Sequence, residues 1–193
     1  LHEILEQLDF TLMALAELRR GRFGIFADFF YAELTRDGSA VFDLFSGSLT
    51  TQITIATAMA EYRLVDRGPT SLDVMAGVRV WNVSGDLTVT VNDGDPPPGI
   101  TISDGRSWLD PMVGVKGRLQ GGSPWYLTGW AMIGGFGAGS DLDWDLFGGV
   151  GYELTDRFSL VAGYRGIGVD YDDDDLLFDM TIHGPLIGGS LKF

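Results

Sequence analysis

Hydrophobic and polar positions alternate along most of this chain. From Trp144 to Leu154, the residues Trp144, Leu146, Val150, Tyr152 and Leu154 share one parity, while Asp145, Gly149, Gly151 and Glu153 take the other, and Phe147 is the one apolar side chain on the polar side. From Leu109 to Leu119, the residues Leu109, Pro111, Val113, Val115 and Leu119 oppose Asp110, Lys116 and Arg118. Successive side chains of a strand point to opposite faces, so a period of two gives each segment one apolar face and one face that accepts charge. The same pattern predicts strands near 9–20, 22–35, 48–65, 71–91, 100–119, 124–138, 143–154, 157–171 and 176–193, with residues 1–8 as a short helical turn.

The connections differ in kind. Arg20-Gly21, Asp66 to Thr70, Gln120 to Pro124 and Thr155 to Arg157 are tight, whereas 36–47, 92–99 and 172–175 are longer or acidic. A soluble sandwich also accommodates Gly-punctuated strands with turns such as Asn92-Asp93-Gly94. Against it, the polar parity lies toward the strand middles, and Phe23, Phe29, Tyr31, Trp125, Tyr126, Tyr152 and Phe158 fall near strand ends, as in the aromatic girdles of a membrane barrel. The expected fold is an all-β, transmembrane, antiparallel up-and-down barrel with short periplasmic turns and longer external loops. Ile187, Gly189, Leu191 and Phe193 alternate up to a C-terminal Phe, which resembles the signal read by the outer-membrane assembly machinery. Nine strands cannot close antiparallel, so one upstream strand is expected to complete a ten-stranded barrel, or two segments fuse to give eight.

Length and charge narrow the classes. The 193 residues suit one barrel domain, 1–193, and no second folded unit. There is no Cys, which removes disulfide and thiolate chemistry. A net charge of −14 repels phosphates and argues against nucleic acid as a partner. No apolar run is long enough for a membrane-spanning helix and no signal peptide is legible, and a start at Leu1 reads as a processed product or a fragment.

The segments LAELRRGRFGIFADFFYAEL (15–34), WLDPMVGVKGRL (108–119), GGFGAGSDLDWDLFGGVGYELTDRFSL (134–160), GYRGIGVDYDDDD (163–175) and GPLIGGSLKF (184–193) resemble a group of uncharacterised proteobacterial outer-membrane β-barrel proteins. The likeness covers most of the chain and implies an integral outer-membrane location, a Gram-negative source, and contact with the bilayer and its lipopolysaccharide. It also implies an additional aromatic-rich strand ahead of residues 1–8. It implies no established activity. Relatives often carry a basic and an acidic residue just before the GGF motif, where this chain has Trp130 and Met132.

By parity the inward set is Glu17, Arg19, Asp28, Glu61, Arg63, Asp73, Arg79, Asp110, Lys116, Arg118, Asp145, Glu153 and Arg165. Both signs in one interior can line a narrow aqueous path, or they can pair and fill a small barrel that conducts little. The carboxylates Asp172, Asp173, Asp174 and Asp175, after Asp170, are a weak Ca²⁺ or Mg²⁺ candidate without EF-hand spacing, as are Asp141, Asp143 and Asp145; a solvated acidic loop is the simpler reading. His183, with Asp179 on its parity, is the one histidine within the strands. It lacks the rest of a Ser/His/acid constellation, and a bulge at Gly184-Pro185 would make it a hydrogen-bonded histidine of the interior. The GDPPPG loop (94–99) is stiff, and could gate the mouth or meet a partner. No phosphate-binding glycine loop or HExxH occurs and no cofactor is expected. Three roles follow: a narrow pore or structural barrel, a scaffold binding a protein partner at its external loops, or a lipid-modifying enzyme.

Overall fold

A computed structural model describes residues 8–40, 45–91, 99–173 and 176–191. The alternating segments form nine strands: β1 (Leu8–Arg20), β2 (Phe23–Ala40), β3 (Phe45–Arg67), β4 (Thr70–Val91), β5 (Gly99–Gln120), β6 (Trp125–Gly135), β7 (Leu142–Glu153), β8 (Phe158–Asp173) and β9 (Leu176–Leu191). They pair in sequence order in one antiparallel, up-and-down sheet. No helix occurs among the described residues. The stretches 1–7, 41–44, 92–98, 174–175 and 192–193 lie outside the description, and with them fall the expected helical turn, most of the GDPPPG loop, Asp174, Asp175 and Phe193.

Strand boundaries depart from the sequence pattern in two places. β2 and β3 run on to Ala40 and from Phe45, through most of the stretch read as a long loop at 36–47, continuing strands that are already bonded through their polar side chains just before it. Thr35 Oγ1 and Thr50 Oγ1 lie 3.5 Å apart. β6 stops at Gly135 rather than near 138, since Gly135 and Gly137 have φ of 86° and 74° and reverse the chain between them.

Two compact units divide the residues. One comprises Leu1–Ala16, Asp28–Thr57 and Val80–Trp108; the other comprises Glu17–Ala27, Ala58–Arg79 and Leu109–Phe193. The second draws segments from all nine strands and holds the candidate site, so we call it the ring unit. The first is built from β1 to β5 alone, and we call it the five-strand unit.

Within the ring unit, one face is largely apolar and exposed. Leu72, Val78, Leu109, Val113, Leu119, Leu127, Ile133, Leu146, Val150 and Leu160 all lie open, and the exposed charges on the same parity are Arg20 and Asp66 beside the tight turns and the paired Asp170 and Asp179 on β8 and β9. Aromatic pairs stand at the tight-turn end of this face, Phe23 against Tyr62 at 5.2 Å and Trp125 against Tyr152 at 4.8 Å between ring centroids. The opposite face is buried and carries the charges. A water-soluble sheet has the reverse arrangement.

Glycines on the inner face receive large side chains from the neighbouring strand. Met112 stands directly opposite Gly134, and Met132 opposite Gly114. A Cβ on Gly163 would lie 2.7 Å from Phe147 Cε2 and 2.5 Å from the Gly148 carbonyl oxygen, so the Phe147 ring occupies the place of that missing side chain. Gly163→Ala is therefore expected to lose about 1–3 kcal/mol in equilibrium denaturation through overpacking. Gly148→Ala, where a Cβ meets nothing within 4 Å, is expected to change stability by less than about 0.5 kcal/mol.

Candidate functional site

The inner face of the ring unit is ordered along the strand direction on β3, β4 and β5. Starting from the tight turns, β3 presents Arg63, Glu61, then Met59; β4 presents Asp73, Met75, then Arg79; β5 presents Arg118, Lys116, Met112, then Asp110. Two charged layers thus enclose an apolar one.

The first charged layer lies at the tight-turn end. Arg19 donates to Glu61 at 2.6 Å and to Glu17 at 2.9 Å, and it lies 3.1 Å from Asp73. Arg63 donates through Nε to Asp73 at 3.0 Å. Lys116 donates to Glu17 at 2.6 Å and also to Glu61. Beside them, Arg118 donates to Glu153 at 2.8 Å while its guanidinium lies 3.4 Å from the centre of the Tyr126 ring. Four cations and four carboxylates balance here. A Cβ on Gly24 would lie 2.7 Å from Glu61 Oε2, so that glycine makes room for the cluster.

The second charged layer is centred on Arg79, which is fully buried. It donates to Asp143 at 2.7 Å and to Asp145 at 2.6 Å. Asp145 also accepts from Arg165 at 2.7 Å and from Trp130 Nε1 at 2.8 Å. Asp110, equally buried, accepts from the Ser140 backbone N–H at 2.7 Å and from its hydroxyl at 2.8 Å. These bonds fasten the turn between β6 and β7 to β5, and a positive φ at Phe136 (55°) and at its flanking glycines shapes that turn. A buried carboxylate left unpaired costs several kcal/mol, and here each has a cation or a donor.

Between the layers lie Phe26, Met59, Met75, Met112 and Met132, all buried, with Trp130 packed against them. Four of the six methionines of the chain are in this layer. It touches both charged layers: Lys116 Nζ sits 5.1 Å from the Phe26 ring centre on one side, and Trp130 meets Phe26 edge-on at 5.7 Å on the other.

The structure thus brings twelve of the thirteen parity-assigned charges into the ring unit; Asp28 is buried within the five-strand unit. Asp143, considered above only as a weak metal candidate, is a partner of Arg79, so a guanidinium occupies the position a cation would need. Among the described residues no group of three or more His, Asp and Glu side chains is arranged to hold a metal ion. Asp172 is exposed, the side chain of Asp173 is not described, and Asp174 and Asp175 lie outside the description.

His183 is a correction. The β8–β9 register runs through Gly184 and Pro185 without a bulge, pairing them with Arg165 and Tyr164. His183 therefore stays on the exposed face, where its Nδ1 lies 2.5 Å from the Tyr164 hydroxyl. It does not enter the interior. Its partner there is a phenol, not a serine or a carboxylate.

The five-strand unit has its own polarity. Glu33 and Thr35, Thr50 and Gln52, Asn82, Thr88, Thr101 and Ser107 share one face and bond in pairs across it, including Asn82 to Ser107 at 2.7 Å and Thr88 with Thr101 at 3.0 Å. Trp81 and Trp108 stack on the other face at 5.7 Å, with Leu49, Leu87, Val89, Ile100 and Ile102 on the same parity and exposed. Along β5, Thr101 and Ser107 have the parity of Leu109 and Val113, so the face that is apolar from Leu109 onward is hydroxylated before it.

No protein-family model matches the chain, and no curated protein or solved structure matches it either. The functional reading rests on geometry alone.

Replacing Arg79 by Met would remove a buried guanidinium from Asp143 and from Asp145, the latter keeping Arg165 and Trp130, and an expected loss of about 3–5 kcal/mol is measurable as a shift in the denaturation midpoint. Adding Asp143→Asn to that variant, with Asp145 kept as the partner of Arg165, should restore part of the loss, because a neutral amide needs no counter-ion.

Proposed function

We propose that the chain is an integral β-barrel of a Gram-negative outer membrane whose interior is closed by its own side chains. The observation that carries this reading is the largely apolar, exposed face of the ring unit, set against a buried ionic interior. Segment lengths support it. The ring unit takes ten residues of β3 (58–67) and ten of β4 (70–79), and ten residues at about 3.3 Å each, tilted by about 40°, span about 25 Å, the height of an outer-membrane apolar band. The hydroxyl-rich face of the five-strand unit does not suit hydrocarbon, and so limits the band to the ring unit.

Ten strands make the complete barrel in this reading. β1 and β9 have no partner on their outer edges among the described residues, and as first and ninth in an up-and-down order they run parallel, so one further strand is needed to join them antiparallel. Lipid and lipopolysaccharide are then the partners of the apolar face, and β9 is the segment the assembly machinery would read. Paired charges favour a structural, closed barrel over an open channel. A second reading, a scaffold for a protein partner, is favoured by the exposed Ile100 (71 %) and Ile102 (63 %) of the five-strand unit. For a lipid-modifying enzyme the His183–Tyr164 pair offers no support.

Folded in detergent, the protein should migrate differently on SDS gels before and after boiling; a water-soluble monomer that needs no detergent would refute the membrane reading. Val113→Arg should destabilise the bilayer-folded protein by about 2–4 kcal/mol, and Thr101→Arg by less than about 1 kcal/mol. Equal costs at the two positions would show that no lipid band separates them.

A further inference from the structure

The layer of Phe26, Met59, Met75, Met112 and Met132 makes none of the ion pairs of the two charged layers, which pair within themselves; one nitrogen of the first, Arg19 Nη1, is buried without a hydrogen-bond partner. We propose that it is a hydrophobic gate: a dry septum that blocks ions in a barrel whose interior on both sides of it is charged. The inference rests on the closed-barrel reading and adds what closes it. Four of the side chains are methionines contributed by four consecutive strands, β3 to β6, all facing one another. Thioethers are uncharged, flexible and weak acceptors, so the layer offers ions and water no adequate partner, yet it can rearrange without breaking a fixed geometry. The septum is seated in the wall, since Met112 and Met132 lie opposite Gly134 and Gly114 and a Cβ at Gly114 would come within 2.9 Å of Met132 Cγ.

Charged groups stand immediately on either side. Lys116 approaches Phe26 from the tight-turn side, and Asp145 holds Trp130 from the other. An ion that passed the septum would leave one set of charges and meet the next, so polarity at this layer decides whether the path is continuous. Glutamine nearly matches methionine in size, which allows polarity to be changed without opening a cavity.

The test is the conductance of the full-length protein in planar lipid bilayers, with insertion verified by its mobility on unheated gels. The wild type and Met75→Leu/Met112→Leu are expected to pass little current, and Met75→Gln/Met112→Gln to pass at least about tenfold more. Met112→Gln alone provides the same comparison if the double variant does not fold. Adding Arg118→Gln to the open variant should shift its selectivity toward cations, which a general loss of packing would not do. Inserted glutamine variants as silent as the wild type, a leucine variant as conductive as the glutamine one, a wild type already open, or a selectivity indifferent to Arg118 would each overturn the gate. Failure to insert at all would instead refute the membrane barrel.

Discussion

Ion pairs between strands that are not neighbours hold the interior of the ring unit together. Backbone hydrogen bonds join each strand only to the next, but Lys116 on β5 reaches Glu17 on β1, Arg19 on β1 reaches Asp73 on β4, and Arg79 on β4 reaches Asp145 on β7. Such contacts require the sheet of this unit to curl until distant strands face each other. Once curled, it buries Arg79, Asp143 and Asp145 completely, and each then needs the others, because an unpaired charge out of water is worth several kcal/mol of instability. Curvature and pairing thus depend on one another.

That constraint leaves the apolar residues the other face. With charge and aromatic packing inside, Leu109, Val113, Leu146 and their neighbours can only point outward, and a continuous exposed surface of this kind is costly in water and favourable in lipid. The five-strand unit follows the opposite rule, with hydroxyls and amides on the corresponding parity. The change of polarity along β3, β4 and β5 is where a bilayer would end, and it falls within single strands rather than at a loop.

Much of the fold was legible in the sequence because a period of two is sensitive to register. Charges at Asp110, Lys116 and Arg118 fix the inner face of β5, and a one-residue slip would place all three outside. Turn-forming residues at Gly21 and Gly68 marked the tight ends. The pairing of particular charges was not legible, since parity gives the face but not the curl that brings Arg79 to Asp143. His183 was misplaced because Gly184-Pro185 suggested a bulge, and β9 accommodates both residues in regular pairing. The methionine layer was overlooked although its signal is present: Met59, Met75, Met112 and Met132 all lie on the charged parity of their strands, where apolar residues are unexpected.

The central claim is that the exposed face of the ring unit lies in lipid while the corresponding parity of the five-strand unit does not. The chain has no cysteine, so single cysteines can be placed at Val113, Leu146, Thr101 and Ser107 in the full-length protein folded into vesicles. Labelling by a water-soluble maleimide measures each position. Reaction at 101 and 107 with protection at 113 and 146, lifted when the vesicles are dissolved in SDS, is the predicted result. Equal and rapid reaction at all four positions in intact vesicles would contradict it.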